Sequence, residues 1–165
     1  MTSAIDLFTT GLKNAHAMES QAKEMLERQS ERLTDYPDLR NRAREHLAET
    51  EEQLRRLEQC LARLDSSPST MKDMALSFGA NIAAMGHAMA GDEVLKNIFA
   101  SAALEQYEIA AYRSLLAMAD QAGATEAKAH LELSLREEEQ MAAWLNDHVE
   151  TVTQQYLQHE QQQAA

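Results

Sequence analysis

The chain has 165 residues, a single cysteine, and 27 acidic against 15 basic side chains, for a formal net charge of −12. That length fits one domain with a sizeable core, and the charge argues against duplex nucleic acid or an anionic membrane as a partner. Cys60 alone excludes an intrachain disulfide, and no apolar run is long enough to cross a bilayer. The opening "MTSAIDLFTTGLKNAH" has neither a basic start nor a continuous apolar run, so no signal peptide is expected and the expected location is cytoplasmic. Five Gly, two Pro and 5% aromatics favour helix over extensive sheet.

Helix A is predicted to start after Thr2 or Ser3, either of which can cap it, and to run to about Leu33. The segment "TDYPD" breaks it, and Pro37 suits the first turn of helix B, which continues to about Leu64. The stretch from Asp65 to Thr70, with Pro68 and three serines, is the clearest break in the chain. Residues 69–90 contain Gly79, Gly86 and four methionines, and read as a short helix and loops crossing the molecule. Helix C is predicted from about Asp92 to Ala122, closed by Gly123, and helix D from near Thr125 to at least Val152. The bundle domain is thus 1–152, with a Gln-rich tail at 153–165 expected to fray. Two hairpins joined by a long link make an all-α, ferritin-like four-helix bundle with a long crossover between helices B and C.

Each helix carries a polar interruption in its apolar stripe. Glu105 falls among Ile98, Ala102, Ile109, Tyr112, Leu116 and Ala119 of helix C. Glu19 is central in the stripe of helix A, and Glu138 in that of helix D. In helix B the stripe is interrupted by His46 and Gln53, with Glu49 at its margin. Counted from the two turns, Glu19, Glu49, Gln53, Glu105, Glu108 and Glu138 lie about 13–18 residues away, which at about 1.5 Å per residue puts them within roughly a turn of one level. Carboxylates converging in a core repel one another, and a pair of cations removes the conflict. Carboxylates with little imidazole suit iron or manganese better than zinc. Bundle sites of this type usually include two Glu-x-x-His pairs. Here helix B has the reversed order "HLAE", and helix D has Met141 where a histidine would stand.

The segments "HLAETEEQLRRLE" (46–58), "LEQYEIAAYRSL" (104–115) and "LREEEQMAAWL" (135–145) resemble the signature segments of the YciE/YciF stress-protein family, a branch of the ferritin-like superfamily. The resemblance implies a bundle with a di-metal site, a homodimer and induction under stress. Carried over by position, it implies the ligands Glu19, His46, Glu49, Glu105, Glu108 and Glu138, with Gln53 and Tyr112 orienting them. Two positions depart from the pattern. Gln106 stands where the family often has histidine, and Ala142 where it often has aspartate. Of the single residues, His46 reads equally as a ligand or as a core imidazole bonded to a carboxylate, and Trp144 reads as an anchor or a dimer contact.

Two functions follow. The first is a protein holding two iron or manganese ions for oxygen, peroxide or ferrous iron chemistry, that is, a di-metal oxidoreductase. The second is a non-catalytic bundle acting through dimerisation or an unknown partner protein, its carboxylates protonated or holding magnesium.

Overall fold

A computed structural model describes residues 2–67 and 93–163. They form four helices: α1 (Ala4–Arg32), α2 (Pro37–Ala62), α3 (Glu93–Ala122) and α4 (Thr125–Gln163). Ser3 caps α1 in a reciprocal box, its hydroxyl accepting from the Asp6 N–H at 3.2 Å and its own N–H donating to Asp6 Oδ2 at 3.0 Å. Pro37 opens α2, where its missing N–H costs nothing. Gly123 ends α3 at φ +69°, with the Ala124 N–H reaching back to the Ala119 carbonyl at 2.9 Å. The short helix expected at 69–90 lies outside the described residues.

α1 packs against α2 and α3, and α4 packs against the same two helices, which leaves α2 and α3 on one diagonal. The directions follow from residue pairs. Gln29, late in α1, donates to Ser101, early in α3, at 3.1 Å. Gly11, early in α1, backs onto Leu115, late in α3, so closely that a Cβ there would meet Leu115 Cδ2 at 2.8 Å. Those two helices are therefore antiparallel. α2 and α4 are antiparallel too, since Arg63 reaches Glu126 at 2.7 Å and Arg56 reaches Ser134 at 3.1 Å. It follows that α2 and α3 run parallel, so the end of α2 and the start of α3 lie at opposite ends of the bundle. This is the ferritin-like arrangement expected from the two short turns and the long link.

The Gln-rich tail is helical over its described part: α4 continues unbroken to Gln163. Glutamine is a good helix former, and Val152, Tyr156 and His159 fall on one face at helical spacing. Val152 is buried, Tyr156 packs against the core, and the His159 ring lies 5.3 Å from that of Tyr36 in the α1–α2 turn.

The core divides into two apolar clusters. Phe8, Leu12, Leu57, Leu61, Leu115 and Leu131 fill one end. Leu33, Leu39, Ile98, Met141, Leu145 and Val152 fill the other. Between them lies a buried polar layer.

Candidate metal centre

Five ionisable side chains enter this layer from all four helices: Glu19 from α1, His46 from α2, Glu105 and Glu108 from α3, and Glu138 from α4, none more than 1% exposed. One ligand atom from each of His46, Glu105, Glu108 and Glu138 lies within 4.8 Å of the others. His46 Nε2 is 3.4 Å from Glu105 Oε2 and 3.3 Å from Glu138 Oε2. Glu105 and Glu108 are about one turn apart on α3, so one helix face supplies both. Glu19 stands beside this quartet. Its Oε1 accepts a hydrogen bond from the Tyr112 hydroxyl at 2.6 Å.

Glu49 is placed differently. It is half-buried, and its Oε2 sits 2.7 Å from His46 Nδ1 and 3.3 Å from Arg42 Nη2. It backs the imidazole instead of facing the other carboxylates, as its marginal position in the helix B stripe allows. Gln53 is fully buried, and its amide nitrogen donates to Glu138 Oε1 and, at 3.0 Å, to Glu137 Oε2. Trp144 stacks on His148 at 3.8 Å within the same helix.

Burial decides the electrostatics. It pushes Glu19 well above the usual carboxylate range, helped by the charge of Glu138 and opposed by the Tyr112 hydrogen bond. Burial likewise drives Glu108 well up, reinforced by Glu138, Glu19 and Glu105. Glu138 is raised by burial to about 7, with His46 pulling the other way. For His46, burial favours the neutral ring, but Glu105, Glu138 and Glu49 together outweigh it and hold the imidazole well above its ordinary value. Burial would raise Glu49 also, yet His46 and Arg42 keep it below the ordinary value. Glu49 is therefore a carboxylate that can only accept, which places a proton on His46 Nδ1 and turns Nε2 to the centre. Tyr112 is held well above the ordinary phenol range by burial and by Glu19.

Five carboxylate oxygens here have no hydrogen-bond partner among the described residues: Glu19 Oε2, Glu105 Oε2, both of Glu108 and Glu138 Oε2. Buried polar atoms are rarely left so. The donor set, oxygen-rich with one imidazole nitrogen, fits iron or manganese, with magnesium as the redox-inert alternative. The sequence reading missed Arg56, Ser134 and Glu137, which line the outer edge of this layer. Their only signal was adjacency to Gln53 and Glu138.

The family model described as a domain of unknown function, DUF892, matches residues 3–158. A crystal structure of a protein from Xanthomonas campestris pv. campestris is 31% identical, with a TM-score of 0.82 over 96% of this chain and 99% of that one. YcfI from Rhodopseudomonas palustris, titled a putative structural protein, is 28% identical, with a TM-score of 0.74 over 87% and 93%. The Escherichia coli stress protein YciF is 22% identical and shares the fold, with a TM-score of 0.80 over 93% and 99%. The chain belongs to the DUF892 family of YciE/YciF-like helical bundles.

Proposed function

We propose that the polar layer binds two iron or manganese ions, held by Glu19, His46, Glu105, Glu108 and Glu138. The observation that carries this reading is the set of five buried carboxylate oxygens without a hydrogen bond among the described residues, enclosed between two apolar clusters with only the His46 ring facing two of them. Left without a cation, such a set costs desolvation and mutual repulsion together. Bound there, iron or manganese would supply one-electron chemistry toward oxygen, peroxide or ferrous iron. The chain's own part is to orient the ligands. Glu49 sets the His46 tautomer, Tyr112 ties one oxygen of Glu19, and Gln53 ties one oxygen of Glu138. A stress-related role in redox or metal handling is supported by YciF, a stress protein with the same fold. A cytoplasmic homodimer belongs to the same reading and is supported by the family resemblance. Trp144 lends the dimer little, because it stacks within its own helix.

The test is titration of anaerobically purified, metal-stripped protein with ferrous iron and with manganese, followed by calorimetry and thermal melting. Two ions per chain and a raised melting temperature are expected, since an ion that binds only the native state stabilises it by about 2.7 kcal/mol at a hundred times Kd. Glu105→Gln keeps the side-chain size and removes a charge, so affinity should drop while the apo fold persists. Neither binding nor a melting shift in the wild-type chain would sink the reading. Turnover of peroxide by the iron-loaded protein then separates an oxidoreductase from a non-catalytic bundle, and a solution mass of one chain across a wide concentration range would remove the dimer.

A further inference from the structure

Outside the five candidate ligands, one buried cation among the described residues touches the layer. Arg56 is 8% exposed, and no carboxylate of the candidate ligand set contacts it. Its Nη2 donates to both oxygens of Glu137, at 2.9 and 2.7 Å, and its Nη1 donates to Ser134 Oγ at 3.1 Å. The Glu137 contact begins a chain leading inward. Glu137 Oε2 accepts from the Gln53 amide at 3.0 Å, and the same amide nitrogen donates to Glu138 Oε1. Separately, the Tyr112 hydroxyl donates to Glu19 Oε1 at 2.6 Å.

Glu138 and Glu19 are held alike. Glu138 has Oε1 tied by Gln53, while its Oε2 has no hydrogen bond among the described residues and faces His46 Nε2 at 3.3 Å. Glu19 has Oε1 tied by Tyr112 and Oε2 without a hydrogen bond among the described residues. In both, one oxygen is anchored and the other is presented. We infer that Arg56 is a positioning residue that sets Glu138 through Glu137 and Gln53. A guanidinium can do this because its planar fork fixes the carboxylate it grips, whereas an ammonium is a single point charge. The Gln53 amide cannot be reversed without turning its oxygen toward two carboxylates, so the Glu137–Arg56 pair also fixes which way that amide faces.

This inference rests on the metal-binding reading, and its test separates the two. Arg56→Lys, Glu137→Ala and Glu137→Gln would be compared with wild type and with Arg63→Lys, which alters only the exposed Arg63–Glu126 pair. Two quantities are read: manganese affinity by calorimetry, and exchange of the Gln53 side-chain amide hydrogens by NMR in metal-free protein. Arg56→Lys and Glu137→Ala should each weaken manganese binding about 10- to 100-fold and speed exchange of the Gln53 amide. Glu137→Gln, which keeps an acceptor oxygen, should fall between Glu137→Ala and wild type, and Arg63→Lys should change neither quantity. Wild-type affinity together with a protected Gln53 amide in both Arg56→Lys and Glu137→Ala would overturn the inference. If Arg56→Lys fails to fold, the two Glu137 variants decide it. If the wild-type chain binds no manganese, the proposed function fails, while the amide exchange still decides whether Arg56 orders the layer.

Discussion

Glu49 Oε2 lies 2.7 Å from Nδ1 of His46, and that bond turns the opposite ring nitrogen toward Glu105 and Glu138. The relation makes Glu49 an orienter of the imidazole. Glu49→Ala should therefore retain two ions per chain at about tenfold lower affinity, while His46→Ala loses a ligand and should bind far more weakly. Calorimetric stoichiometry checks this. A fall to one ion per chain in Glu49→Ala would show that Glu49 is itself a ligand.

The metal-free protein should be most stable in mild acid. Glu138 in the folded state titrates at about 7, against 4.5 ordinarily, so between those values the folded chain keeps a proton that the unfolded chain has lost. Stability from this group is complete below about 4.5 and is lost as pH rises through about 7, a change on the order of 3 kcal/mol. Glu19 and Glu108 are shifted in the same direction, and so is His46, whose contribution is full below its ordinary value and fades as pH climbs above it. Glu49 is shifted the other way, so its contribution is present above about 4.5 and is lost only as pH falls below that. Melting temperature without metal should thus fall from about pH 5 to pH 8, and saturating manganese should flatten the slope by giving the ionised carboxylates a partner. Glu108→Leu should raise the metal-free melting temperature at pH 8, because both oxygens of Glu108 lack hydrogen bonds among the described residues and a leucine leaves nothing to desolvate. A flat metal-free profile would contradict the assignment.

The ends of α2 and α3 predict opposite effects. Gly123 holds φ +69° with nothing within 4 Å of an added Cβ, so Gly123→Ala should cost about 1 kcal/mol, purely from backbone strain. Asp65 sits at φ +50°, where the Ser66 N–H reaches back to the Leu61 carbonyl at 3.0 Å. Asp65→Gly should relieve strain there and raise stability by a few tenths of a kcal/mol, the smaller effect because aspartate tolerates this region better than alanine. Thermal melts of the two variants, saturated with the same metal, measure both.

Much of the bundle was legible along the chain. Helix limits followed from Ser3, Pro37 and Gly123, and the four apolar stripes marked the buried faces. Glu19, Glu105, Glu138, His46 and Gln53 stood out because each interrupts an apolar stripe, and each is buried. Even the parallel course of α2 and α3 was implied by the length of the link between them.

Arg56 and Glu137 could not be read this way. Arg56 follows Glu52 by four residues and looks like half of a surface pair, but Glu52 pairs with Arg55, and Arg56 turns into the seam toward α4. Glu137 and Glu138 are neighbours about 100° apart on one helix. Glu138 enters the core, while Glu137 meets an arginine from another helix. The Gln-rich end of α4 was equally hidden, since its helix is held by Tyr36, more than a hundred residues earlier in the chain. Periodicity within one helix determines which face is apolar and which polar residues interrupt it, because that depends only on 3.6 residues per turn. Which residues at the edges of those faces meet depends on how each helix is rotated and slid against its neighbours, and that is settled only when all four pack a common core.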